Sequence, residues 1–160
     1  MPALRELLSE AGLQDVRTYV QSGNVVVSSR ESPDELAGRC RKLISEHFGF
    51  DVPVIARTAA ALGSVLARDP FAGVAIDPKR YWVSFLDREL SAEEEARLQA
   101  RAAGEEQLLC AGRELYGWFP DFTARSKLAT ALGAPAKGVT ATARNWTTVS
   151  TLYAMATGQA

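Results

Sequence analysis

Two glycine-centred hairpins, set about 90 residues apart, constrain the fold of this chain more than any other feature. The first is Tyr19-Val20-Gln21-Ser22-Gly23-Asn24-Val25-Val26-Val27; the second runs from Gln107 to Phe119 around Ala111-Gly112. In each, runs rich in β-formers flank a glycine that can supply the positive φ of a tight turn. The neighbouring elements recur in the same order. A helix is expected over Pro2–Ala11, with proline in its first turn and Leu4, Leu7, Leu8 and Ala11 on one stripe. Its counterpart is a charged, alanine-rich helix opened by the capping box at Ser91 and running to about Ala103. Strands Val16–Gln21 and Asn24–Ser28 match Gln107–Cys110 and Glu114–Phe119. The capping box Ser32-Pro33-Asp34-Glu35 opens a helix that turns Leu36, Cys40, Leu43, Ile44 and Phe48 inward and stops at Gly49. The second half offers a helix around Ala124–Leu132 there. Strand Val52–Arg57 matches a strand over Val139–Ala143, and a helix follows each, one capped by Thr58, the other from Trp146 to Ala156.

From strand Tyr81–Leu86 onward the order is β-α-β-β-α-β plus a helix, the ferredoxin-like split unit. The first half repeats it without the opening strand. The expected fold is therefore α+β, built of tandem duplicated ferredoxin-like halves with antiparallel sheets. Residues 1–70 form the N-terminally incomplete half with a linking helix, and residues 71–160 the second half with a C-terminal helix. The repeat offset puts the missing strand ahead of Met1. In such a sheet that strand is central, so its neighbours would carry unpaired backbone. A misplaced start, a truncated chain, or a sheet that closes up or borrows a strand from a second copy each accounts for this; the first two are preferred.

At 160 residues with 47% hydrophobic and 23% charged side chains, the chain can bury a sizeable core. Its net charge of −1 removes a global basic footprint, so any nucleic-acid contact must come from a local patch. No apolar run approaches the ~18 residues of a membrane helix, and the N-terminus lacks the layout of a signal peptide. A cytoplasmic location follows, with Cys40 and Cys110 as reduced thiols. A single histidine, His47, excludes a multi-histidine metal site and weakens Ser-His-Asp or Cys-His catalysis. It reads as a surface or capping residue at a helix end. No carboxylate pair suggests glycosidase or metal chemistry, the Glu93-Glu94-Glu95 run reads as a solvated first helical turn, and no cofactor is expected.

Three polar motifs stand out. Gln21, Ser22 and Asn24 crowd a hairpin tip, either as a small polar pocket for a ligand oxygen or phosphate, or as turn chemistry, which explains Gln21 least. Arg125-Ser126-Lys127 at a helix start is either an anion site or a solvated basic face paired with Asp121. Thr142-Ala143-Arg144-Asn145-Trp146-Thr147-Thr148 runs a strand into a helix, with Asn145 as cap and Trp146 in the core; Arg144 is the residue that capping leaves over. If the last two motifs converge, Arg125, Lys127 and Arg144 form a compact positive site. Trp82, Tyr116 and Trp118 lie on strands, as core or as an exposed aromatic face of the kind that reads RNA; core packing is preferred.

The hairpin Thr18–Val26, with Arg125-Ser126-Lys127-Leu128 and Thr142–Thr148, resembles the bacterial domain-of-unknown-function family 1697. The likeness covers essentially the whole chain. It implies a duplicated ferredoxin-like α+β fold and no particular activity. Typical members open with a strand bearing an Arg-Gly-Ile-Asn-Val-Gly type segment, which this chain lacks. The leading functional expectation is a binding module for an anionic ligand: a nucleotide, phosphate or nucleic-acid backbone. Arg125, Lys127 and Arg144 would supply charge, and Gln21, Ser22, Asn24, Ser126 and Asn145 polar contacts. Two alternatives stand beside it. One is an enzyme on a small phosphorylated or acyl substrate, with Ser22 or Ser126 activated by Lys127. The other is a protein-interaction module, with homodimerisation through an exposed sheet edge.

Overall fold

The computed structural model describes residues 1–121 and 125–159. It is a mixed α+β protein with two antiparallel sheets. The chain divides into two compact units. Unit 1 is Met1–Leu62 with the segment from Thr151 onward, and unit 2 is Gly63–Ser150. Helices α3 (Ala59–Arg68) and α6 (Trp146–Thr157) each run through a boundary between them.

Unit 1 opens with α1 (Pro2–Glu10), which has proline in its first turn and buries Leu8. Gly12, at φ 86°, turns the chain into β1 (Gln14–Tyr19), which pairs with β2 (Asn24–Ser28). The ladder slips between Gln14 and Arg17, where Asp15 takes φ 52°. Helix α2 (Pro33–Phe48) begins at the expected capping box: the Ser32 hydroxyl accepts from Glu35 N, and the Glu35 carboxylate accepts from Ser32 N at 2.9 Å. It ends at Gly49 in the left-handed region, with His47 in its last turn. Leu8, Leu13 and Cys40 make a small buried cluster, against which Val16, Val25, Val27, Leu36, Leu43 and Val54 pack. Arg17 ties the last helix to the hairpin by donating to the Met155 carbonyl at 2.8 Å.

Two expectations need correction here. The first strand ends at Tyr19, so Val20 and Gln21 belong to the loop Val20–Gly23. The strand expected over Val52–Arg57 does not form; residues 51–58 carry no regular structure. A β-former sequence becomes a strand only by pairing its backbone groups. The sheet of this unit has two strands, and neither pairs with that segment.

Unit 2 holds β3 (Tyr81–Leu86), α4 (Ala92–Gln99), β4 (Gln107–Ala111), β5 (Glu114–Trp118), α5 (Lys127–Ala131) and β6 (Ala141–Asn145). Its sheet has the order β4-β5-β3-β6, antiparallel throughout. Register sets the faces. Trp82 lies opposite Gly117 and Asn145, and Ser84 opposite Leu115 and Ala143. These residues and Leu86 share the face that packs with Leu98, Leu108, Leu115, Phe119, Leu128 and Leu132. Ser84, fully buried in β3, donates its hydroxyl to the Leu132 carbonyl at 2.6 Å. On the opposite face Tyr81 stacks on Trp146 with ring centroids 4.3 Å apart, and the Tyr116 hydroxyl donates to the Val65 carbonyl. Tyr116 and Trp118 are buried and Trp82 packs against the core, so the strand aromatics fill the interior.

The last strand falls at Ala141–Asn145 rather than Val139–Ala143, because pairing with β3 runs from Leu86–Ala141 to Trp82–Asn145. Helix α4 stops at Gln99, short of Ala103, and α5 starts at Lys127; Ala124, the expected start, lies outside the described residues.

Candidate anion site

The start of α5 is fixed by Ser126. Its hydroxyl accepts from Ala129 N at 3.0 Å, as an N-cap does, and the side chain is only 9% exposed. Leu128 and Ala131 then face the core, which leaves Arg125 and Lys127 exposed. Arg101, just past α4, reaches the same place. Arg101, Arg125, Ser126, Lys127 and Thr130 line an open depression of about 250 Å³.

The cations here differ from their neighbours. Arg88 and Arg97 are held by Glu94 and Glu93, and Arg39, Arg41 and Lys42 by Glu31, Asp51 and Glu46. Among the described residues, Arg101, Arg125 and Lys127 have no acidic partner, and the pairing of Arg125 with Asp121 considered above does not form. A second depression, of about 370 Å³ along α2, is lined by Arg41, Lys42, Glu46 and Asp51 and is neutralised by its own ion pairs.

Arg144 does not join this cluster. Its register partner is Val83, so it lies on the face of the sheet opposite the one covered by α5. It is half-buried, it donates to Thr142 Oγ1 and the Ala143 carbonyl at 2.6 and 2.8 Å, and burial lowers its pKa. Asn145 serves as the cap expected of it, its Oδ1 accepting from Thr148 N at 2.9 Å. At the first hairpin, Asn24 is 7% exposed and donates to the Tyr19 carbonyl and to Ser22 Oγ, at 3.1 and 2.9 Å. Ser22 and Asn24 thus hold the turn. Gln21 is exposed, beside Val20, a β-branched residue held at φ 51° in a region such residues avoid.

No Ser–Lys pair exists at α5: the Ser126 hydroxyl is engaged in the cap, and the Lys127 side chain is exposed. The thiols are also poorly placed for nucleophilic work. Burial pushes Cys110 up to about 11 and raises Cys40 as well. Among the described residues no group of His, Cys, Asp and Glu could hold a metal ion, and no helix is long and apolar enough to cross a membrane.

Sequence reading missed Arg101. The signal was present: Arg97 has Glu93 four residues before it, whereas the residues three and four before Arg101 are Leu98 and Arg97. A helix-end cation without a local acid is free to serve another segment.

These features define a two-unit α+β protein with antiparallel sheets and one uncommitted basic depression beside α5. The chain belongs to the family described as protein of unknown function (DUF1697), whose model matches residues 1–116. Apart from Arg101, the residues lining the depression lie beyond that match. Among solved structures the chain is similar to a conserved bacterial protein from Streptococcus pneumoniae. The two are 23% identical with a TM-score of 0.71, over 98% of this chain and 88% of that one, a likeness that speaks for the fold. No curated protein matches the chain.

Proposed function

We propose that this protein is a cytoplasmic binding module whose second unit holds an anionic ligand, a nucleotide, phosphate or nucleic-acid backbone, through Arg101, Arg125 and Lys127. One observation carries the reading: among the described residues, three cations without acidic partners surround one depression, while Arg88 and Arg97 of the same unit are held by Glu94 and Glu93. Like charges gathered without counterions repel, and an anion relieves that repulsion. Arg144 is left out of the site by its place on the sheet. We also read the fold as two ferredoxin-like halves. In support, unit 2 has the β-α-β-β-α-β order with β3 central, and the elements of unit 1 recur at the common offset.

Thermal-shift titration with phosphate, sulfate, nucleotides and short oligonucleotides tests the site. A ligand at 100 times its Kd stabilises the native chain by roughly 2.7 kcal/mol. The double variant Arg125→Glu/Lys127→Glu should lose that shift, and Arg144→Gln should keep it. A double variant that binds as wild type does would remove the site from consideration.

A further inference from the structure

The sheet of unit 2 ends at β4, and its neighbours fix the direction of β4's backbone groups. The Leu86 amide donates to the Arg113 carbonyl at 2.8 Å, so the peptide groups of Leu115 and Gly117, like those of Arg113, point toward β3. Those of Glu114, Tyr116 and Trp118 point toward β4, where they meet Ala111, Leu109 and Gln107. The N–H and C=O groups of Leu108 and Cys110 therefore point out of the sheet, along an edge that no strand covers among the described residues.

That edge lacks the devices that keep strands apart. β4 reads Gln107-Leu108-Leu109-Cys110-Ala111, with no charge, no proline and an unbroken register against β5. Leu108 and Cys110 turn toward the core cluster, and Leu109, between them, faces the other way and is 37% exposed. The opposite edge of the sheet, β6, is different. It carries Arg144, and the run from Lys137 to Asn145 holds no acidic residue, so β6 set against its own copy would bring together only cations.

We propose that β4 pairs antiparallel with β4 of a second copy about a two-fold axis at Leu109, so that the four-stranded sheet continues across the axis. The outward groups set the register. Leu108 of each copy lies opposite Cys110 of the other, each such pair exchanging both N–H···O bonds. The neighbouring registers do not serve. One recruits Glu106, whose amide already donates to the Ala103 carbonyl at 3.1 Å; the other recruits Gly112, which sits in the turn at φ 60°. With Leu109 at the axis, the two leucines meet at the closely spaced, non-hydrogen-bonded position. The same register brings Glu105 of each copy opposite Arg113 of the other. Glu105 is exposed and makes no ion pair among the described residues. This charge complementarity, repeated on both sides of the axis, names a second copy of the chain as the occupant.

Sedimentation velocity over rising concentrations of the full chain, paired with residue-resolved amide exchange, tests the pairing. The expected result is a monomer–dimer equilibrium. As dimer forms, exchange should slow by about tenfold or more at the Leu108 and Cys110 amides and stay unchanged at Ala141 and Ala143 of β6. Leu109→Lys sets two cations face to face at the axis and should leave a monomer with the wild-type circular dichroism. Glu105→Lys and Arg113→Glu should each weaken the dimer by about tenfold, since both contacts turn from attraction to repulsion. An equimolar mixture of those two variants should recover it, because both contacts of the mixed pair join opposite charges. Recovery in the mixture separates a lost contact from a damaged fold. A mixture no tighter than either variant alone, or protection at β6 in place of β4, would overturn the proposal. So would a chain that stays monomeric at millimolar concentration, which would leave the β4 edge to an extended peptide of another protein.

Discussion

Ser84 sits in mid-β3 with no exposed surface, and its hydroxyl reaches the Leu132 carbonyl at the end of α5 at 2.6 Å. Ser84→Ala deletes the donor and strands that carbonyl in a core where Leu132 is 1% exposed and water has no access. An unsatisfied buried acceptor costs about 1–3 kcal/mol, and the loss of a single oxygen leaves little cavity, so the hydrogen-bond loss dominates. For a chain of this size each kcal/mol moves the melting temperature by about 2–4 °C, which puts the variant roughly 4–8 °C below wild type at the middle of the range. Urea unfolding followed by tryptophan fluorescence reports on this directly, because Trp82 and Trp118 lie on β3 and β5 of the same sheet. The midpoint should fall with an unchanged slope. A variant within about 0.5 kcal/mol of wild type would mean that the Leu132 carbonyl finds another partner, and the tie between β3 and α5 would lose its energetic meaning.

Two further outcomes follow from the same structure. A Cβ on Gly117 would sit 2.8 Å from Cε2 of Phe119 and 3.1 Å from Leu132 Cδ1, so Gly117→Ala should cost about 1–3 kcal/mol by calorimetry, and Phe119→Leu in the same chain should restore part of it. Glu94 has its carboxyl lowered from 4.5 to about 2, first by its bonds to Arg88 and then by the Ser91 amide. A folded pKa below the unfolded one gives stability that is full above pH 4.5 and lost as pH falls toward 2. The melting-temperature gap between wild type and Glu94→Gln should therefore be open at neutral pH and closed near pH 2, and a gap that ignores pH would refute that cause.

What the sequence made legible was what is decided locally. Both capping boxes, the stop at Gly49, the Thr58 and Asn145 caps and both hairpin glycines need only residues a few positions apart, and all stand as read. What escaped was decided by partners far along the chain. Val52–Arg57 has the composition of a strand, but among the described residues no strand pairs with it. β6 shifted by two residues because β3 sets its register. Arg125 and Lys127 were visible as an anion candidate, yet only the fold brings Arg101 to them and sends Arg144 to the other face of the sheet. Alternation along β6 could have warned of this once its pairing was known, but not before.

The division of the chain has a consequence for the order in which the protein is made. Unit 2 is one unbroken stretch, whereas unit 1 draws on both ends, and Arg17 waits for the carbonyl of Met155. Chains emerging from a ribosome commonly fold from the N-terminus onward. Here the hairpin is synthesised before unit 2 and completed only after unit 2 has emerged whole. Until then Arg17 has no Met155 carbonyl to donate to.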